Sequence, residues 1–260
     1  MNLNSPPKIR LITRADDAGS NGSANRGILE ALGAGFLKNI SIMIPGPAIE
    51  EAATLLAGHT EVCFGLHTCL NAEWEKVRWG AVAPASQVSS LLDSSGYFFN
   101  TTRALHENQP CREEIFHELD AQLARAKALG FTLSYADTHM GWEWGAAGLQ
   151  EEFAVWCERN GLLNYAPRSR SLRGFEQADD PIPPLIDCLE RTEPGQYLLV
   201  GHPAYDNVEM RALGHRGYPG ERVAWERERE RQMFMDARLI AYCQKQNIHP
   251  IRYDEADILA

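Results

Sequence analysis

The chain lays down short, nearly unbroken apolar runs and separates them with stretches of helical period. The runs are KIRLIT (8–13), NISIMI (39–44), EVCFGLH (61–67), TLSYADTH (132–139), QYLLVGHP (196–203) and IHPIRY (248–253). Between them, SANRGILEALGAG (23–35) places Ile28, Leu29 and Leu32 on one helical face, with Ser23 as a candidate cap. AIEEAATLLAG (48–58) has acids in its first turn and Gly58 after its last. CREEIFHELDAQLARAKALG (111–130) carries the stripe Ile115, Leu119, Leu123 and stops at Gly130. LQEEFAVWCERNG (149–161) reads as another helix, and 221–246 as one long charged helix. A strand that is apolar on both faces must be covered on both faces. The alternation therefore predicts an α/β fold, a parallel sheet wrapped in helices.

Two stretches break the rhythm. Residues 71–110 carry Trp, Pro and Ser without a sustained period, and 166–184 is similarly irregular. Long insertions of this kind in an α/β domain are functional or mobile, and 74–110 together with GHRGYPGE (214–221) are candidate lids over a site. No repeat or linker divides the chain, so a single domain over 1–260 is expected. The net charge of -10 comes without a basic stripe, which argues against nucleic acid as a partner. No apolar stretch approaches the roughly 20 residues of a membrane span, and MNLNSPPKIR lacks the apolar centre of a leader. The six cysteines form no CxxC pair and read as reduced thiols. A cytoplasmic protein, a small-molecule partner and a homodimer are the expectations.

The chemistry collects where the apolar runs end. ITRADD, FGLHT, YADTH and LVGHP each leave an ionisable or metal-binding residue at an apparent strand exit. In parallel α/β sheets, ligand sites gather at the carboxyl ends of the strands. Register would bring Asp16, Asp17, His67, Asp137, His139 and His202 to one mouth, a donor set suited to a hydrolytic divalent metal. Each residue also has a structural reading. An aspartate after a strand often caps a helix, a lone histidine is often half-buried and satisfied, and GHP signals a turn. The adjacent pair Asp16 and Asp17 resists that reading, because one cap suffices and two like charges repel.

ADDAGSN, GLHTCLN, DTHMGW and HPAYD occur in an order and spacing that resemble the YdjC-like, or ChbG/HpnK, carbohydrate deacetylase family. SLLDSSGYFF, EIFHELDAQL and RERERQ resemble further stretches of it. The resemblance implies a distorted (β/α) barrel, TIM-like and polysaccharide-deacetylase-like, with long loop insertions. It implies a metal-dependent hydrolase that removes the N-acetyl group from an amino sugar or oligosaccharide. Carried over by motif, Asp17, His67 and His139 would be metal ligands, Asp16 the catalytic base and His202 the proton donor. Asp137, Trp142 and Arg168 join a substrate-binding set, Asp137 with the alternative of bracing a ligand. Trp74, Trp79 and Trp144 are further candidates for stacking on a sugar. Mg²⁺ and Zn²⁺ lead the candidate cofactors, and Co²⁺, Ni²⁺ and Mn²⁺ also suit the donors. Many members carry a second histidine in a His-x-His motif where this chain has Gly141, so the substrate of that branch, chitobiose included, is not carried over. The rival readings are another metal-dependent amide or ester hydrolase and a sugar-binding protein without catalysis.

Overall fold

A computed structural model describes residues 8–168, 170–172, 174–175 and 178–259. Most of the stretch read for a leader lies outside these residues. The elements run β1 (Ile9–Ala18), α1 (Gly22–Gly33), β2 (Asn39–Ile42), α2 (Ile49–Leu56), β3 (Cys63–Thr68), α3 (Thr102–Glu107) and α4 (Arg112–Ala128). There follow β4 (Leu133–Thr138), a kinked 3-10 stretch (His139–Gly145), α5 (Leu149–Arg159), β5 (Leu163–Asn164), β6 (Arg170–Ser171), α6 (Ile182–Arg191) and β7 (Gly195–Gly201). The chain closes with α7 (Val208–Arg211), α8 (Gly220–Met235), α9 (Ala237–Lys245) and β8 (Ile248–Ile251).

Every strand pairing is parallel, in the order β5-β4-β3-β2-β1-β7-β6. Strand β1 is central. One edge pairs with β7; the other is shared, with β8 along Ile9–Ile12 and β2 from Arg14 onward. The sheet curls into a half-barrel, and among the described residues no pairing between β5 and β6 closes it. A small inner cluster of Ile12, Cys63, Tyr135, Leu198, Ile251 and Tyr253 fills the base of the curl. The larger core, with Leu11, Ile28, Ile40, Leu119 and Phe153, lies between sheet and helices. Burial on both faces explains why the strands read as continuous apolar runs.

Three local expectations change. Helix α1 is capped by Asn21, whose side chain accepts from Ala24 N at 2.9 Å, while Ser23 lies inside the first turn and donates to Tyr205 O. The charged carboxyl-terminal helix is two helices, because Asp236 adopts an extended backbone and caps α9 by accepting from Arg238 N. The 71–110 stretch packs as a wall: Val88, Leu91, Phe98 and Leu105 are fully buried, and the buried Glu118 carboxylate of α4 accepts from Val82 N and Ala83 N. No helix among the described residues is long and apolar enough to cross a membrane.

Candidate metal centre and its neighbours

The doublet at the end of β1 meets a geometric obstacle. Successive strand residues point to opposite faces, so Asp16 and Asp17 ought to diverge. The structure resolves this with a β-bulge. Ala15 pairs with Ile40 and Ala18 with Ile42, so three steps on β1 match two on β2. Asp17 takes up the difference with a left-handed backbone, φ 66°, and the bulge re-aims its side chain. Strain of this kind in a residue other than glycine persists only when the surroundings hold it, and it concentrates at functional sites.

Asp17 then faces two imidazoles. Its Oδ1 lies 3.5 Å from His67 Nε2 and 3.4 Å from His139 Nδ1, and those nitrogens are 3.3 Å apart. Each histidine is braced from behind. His67 Nδ1 lies 3.0 Å from Asp137 Oδ1, and His139 Nε2 lies 2.9 Å from Glu73 Oε2. With Nδ1–H of His67 and Nε2–H of His139 donating to those carboxylates, both free lone pairs converge on Asp17 Oδ1. That oxygen is buried and has no hydrogen-bond donor among the described residues. In that tautomer pair three acceptors meet without a hydrogen, a gap that either a cation or a proton on each ring would fill. Donors about 2.0–2.1 Å from one ion at tetrahedral angles stand about 3.3–3.4 Å apart, close to the spacing seen. Carboxylate braces on the far nitrogens are the usual support of metal-binding histidines. Burial works against ionising these groups, but the neighbours win. Asp137 and Asp16 hold the His67 imidazole well above its usual range, Glu73 does so for His139, and the two rings keep the Asp17 carboxyl well below its own.

Asp16, His67 and Asp137 also approach closely enough to be considered as an ion site. A cation is already there. Arg14, two residues before Asp16 and on the same strand face, forks both oxygens of Asp16 at 2.7 and 2.8 Å and reaches Asp137 Oδ2 at 2.8 Å. Tyr253 OH accepts from Arg14 Nη1, and Ser41 Oγ donates to Asp137 Oδ2. Gly65 makes this cluster possible: a Cβ there would lie 2.2 Å from the Tyr135 ring, which fills the space and brings its hydroxyl to Ser41.

On the other flank, His202 follows β7. Its backbone N–H donates to Glu230 Oε2 at 2.7 Å, and its Nδ1 lies 3.2 Å from the same oxygen. Burial would raise the Glu230 carboxyl, but His202 and Arg227 outweigh it and bring it to about 2. Arg227 sits 3.5 Å from both Asp17 Oδ2 and Glu230 Oε2.

The structure thus brings Asp16, Asp17, His67, Asp137, His139 and His202 to the carboxyl-terminal mouth of the sheet. It corrects three members of the substrate set. Asp137 is fully buried, with its oxygens on His67, Ser41 and Arg14, so it braces and does not face a substrate. Trp142 is fully buried, its Nε1–H on Thr68 and its ring edge-on to Phe153, which leaves no face for a sugar. Arg168 belongs to the opposite end of the sheet, where its carbonyl accepts from Gln196 and its guanidinium donates to Ala256 O. Gln196 pairs with Arg10 at the start of β1, roughly 20 Å along the strand from Asp16 at about 3.3 Å per residue. Trp74 and Trp79 are also nearly buried, whereas Trp144 is 64% exposed. Sequence reasoning passed over Arg14, Glu73, Arg227 and Glu230. For Arg14 a signal existed, since residues two apart on a strand share a face.

Fold and site together define an α/β half-barrel with a carboxylate–imidazole cluster at its carboxyl-terminal mouth. The family model of the YdjC-like protein matches residues 10–245, and the chain belongs to that family. It is 33% identical over 138 residues to a carbohydrate deacetylase of Mus musculus, a match covering 51% of this chain and 42% of that protein. A Geobacillus stearothermophilus carbohydrate deacetylase is 34% identical over 128 residues, covering 49% and 48%. The chain thus spans about half the length of these two relatives. It aligns with 95% of a Thermoanaerobacter pseudethanolicus carbohydrate deacetylase, at 25% identity over 255 residues and 92% of its own length. Among solved structures, a proposed cellobiose-phosphate cleavage protein of Enterococcus faecalis V583 superposes with a TM-score of 0.79 at 19% identity, covering 96% of this chain and 99% of that one. A peptidoglycan N-acetylglucosamine deacetylase gives 0.54 at 10% identity, covering 98% and 94%. At these identities the two structures speak for the fold.

Proposed function

We propose that the protein is a metal-dependent carbohydrate deacetylase, hydrolysing the N-acetyl amide of an amino sugar or oligosaccharide. The observation that carries this reading is the division of the doublet. Asp17 turns into a triangle of acceptors, while Asp16 stays beside it, forked by arginine. A protein that only bound sugar would have no use for a second carboxylate held in this way. The names of the full-length and partial relatives support the same reaction. The pairing of β1 with strands from both halves of the chain supports one deacetylase domain.

Asp17, His67 and His139 would hold the ion, with Glu73 and Asp137 fixing the two imidazoles. A divalent ion bound there supplies Lewis-acid polarisation of an acyl oxygen and acidifies water. Asp16 takes the proton of the attacking water. Arg14 uses one acceptor site on each Asp16 oxygen, and a carboxylate retains others. Positioned base catalysis of this sort is worth about 10²–10⁴-fold. His202, fixed through Nδ1 by Glu230, presents Nε2 to protonate the departing amine. An open groove beside Glu73, lined by Arg78, Asp93, Phe99 and Asn100 and by the edge of the nearly buried Trp74, offers the polar and aromatic walls suited to a sugar.

The test is acetate release from N-acetylated amino-sugar monomers and oligomers, by protein stripped of metal and then loaded with Mg²⁺, Zn²⁺, Co²⁺, Ni²⁺ or Mn²⁺. Metal-dependent acetate release supports the reading. Release from simple esters but from no acetylated sugar would replace it with a different hydrolase, and no release from any substrate would leave a binding protein.

A further inference from the structure

Arg227 stands at the mouth with no hydrogen-bond partner for its guanidinium among the described residues. It projects from α8 one turn before Glu230, and its side chain is 18% exposed. Its Nη2 is 3.5 Å from Asp17 Oδ2 and its Nη1 is 3.5 Å from Glu230 Oε2. Neither approach is a hydrogen bond, and among the described residues its guanidinium makes none. The two carboxylates hold the charge in place electrostatically without engaging its N–H groups. A guanidinium of this kind contrasts with Arg14, whose fork is filled by Asp16. It is permanently charged, so it can donate to a developing negative charge without a proton changing hands. It is also anchored to Asp17, the carboxylate whose other oxygen faces His67 and His139.

We propose that Arg227 is a catalytic residue that donates hydrogen bonds to the substrate's acyl oxygen as it gains negative charge during attack on the amide. The inference rests on the deacetylase reading and adds an oxyanion donor to it. The bond bookkeeping is that of amide hydrolysis: water adds to the acyl carbon, the carbon–oxygen π pair moves onto the oxygen facing Arg227, and it returns as the carbon–nitrogen bond breaks. Arg227 forms no covalent bond and transfers no proton. It occupies its place before the reaction, as electrostatic stabilisation requires.

The experiment compares wild type with Arg227→Met and Arg227→Lys. It measures metal content after loading, acetate-release kinetics, and affinity for acetate, whose carboxylate presents the same oxygens. The expected result is full metal occupancy and a fall in kcat of about 10²–10³-fold for Arg227→Met, the range for loss of one oxyanion donor, with KM little changed. Acetate affinity should fall at least tenfold, and Arg227→Lys should recover part of both. If metal content falls in step with activity and excess metal restores the rate, Arg227 only positions Asp17 and the proposal is overturned. An unchanged kcat also overturns it. If wild type releases no acetate from any sugar, the deacetylase reading fails on its own. The acetate titration then decides Arg227 separately: loss of binding in Arg227→Met upholds the donor role, and equal or absent binding in both proteins ends it.

Discussion

Glu73 gives the sharpest test of the acceptor triangle, because it touches the centre through a single bond. His139 Nε2 lies 2.9 Å from Glu73 Oε2, and the Glu73 side chain is only 13% exposed, so water screens the pair weakly. In Glu73→Gln an oxygen can still accept from Nε2–H, but the negative charge is gone. In Glu73→Ala both are gone, and His139 is free to rotate or change tautomer, turning a hydrogen toward Asp17. Loss of such a brace typically costs 10–100-fold in metal affinity, equivalent to about 1.4–2.7 kcal/mol. Glu73→Ala should sit at the upper end of that range and Glu73→Gln at or below the lower end. Competition with a chromogenic chelator at fixed pH measures the affinity, and acetate release at saturating metal measures what remains. If the brace acts through His139, saturating metal should restore most of the Glu73→Gln rate. A Glu73→Ala protein that binds metal as tightly as wild type would refute the reasoning, because His139 would then be held by something else or would not be a ligand.

The doublet itself should separate by variant: Asp16→Asn keeps its metal and loses about 10²–10⁴-fold in turnover, whereas Asp17→Asn loses both, as elemental analysis beside the acetate assay will read. The opposite pattern would reverse the two roles. Gly65→Ala forces a Cβ to 2.2 Å from the Tyr135 ring, whose hydroxyl is tied to Ser41. It should cost about 1–3 kcal/mol of stability in a denaturant titration, and a loss below about 0.5 kcal/mol would show that the half-barrel interior yields easily. Glu230 is displaced from its ordinary 4.5 to about 2, a difference corresponding to about 3 kcal/mol. Because the folded value is the lower one, that stabilisation is present above about pH 4.5 and is lost as pH falls toward 2. The stability gap between wild type and Glu230→Gln should therefore narrow between pH 5 and pH 3, and a gap that stays constant would contradict the burial and pairing of this carboxylate.

Much of the mouth was legible because its chemistry sits at strand exits. Two-sided apolar runs end abruptly in Asp, His or Asp-x-His, and a parallel sheet carries all such ends to one side. What was hidden needed knowledge of a partner. The bulge that brings Asp16 and Asp17 to one mouth exists only in the register between β1 and β2, and strict alternation on β1 alone predicts that they diverge. Glu73 lay in a stretch without period, where one acid among Trp, Lys and Arg carries no signal. Arg227 and Glu230 lay in a run of alternating charges that reads as a solvated helix face. They are three residues apart, on the side of α8 that packs against His202, and only tertiary contact separates that side from the exposed one. Trp142 and Arg168 failed for the complementary reason. Adjacency to a motif does not say which way a ring points, nor which end of the sheet a loop returns to.

The charge balance ties these parts together. Asp16, Asp17, Asp137, Glu73 and Glu230 converge on the mouth, and Arg14 and Arg227 are the guanidinium groups set among them. Arg14 is engaged by Asp16 and Asp137, and Arg227 leans on Asp17 and Glu230 without bonding either. Carboxylates in such excess, most of them buried, are costly unless a further positive charge joins them. Without a metal ion, that charge comes from protons on His67 and His139, which their carboxylate neighbours favour. A divalent ion would displace those protons and bring the same charge to the same place. On the reading proposed above, the pair that looked electrostatically unreasonable in the sequence is one edge of a site whose acids a cation would balance.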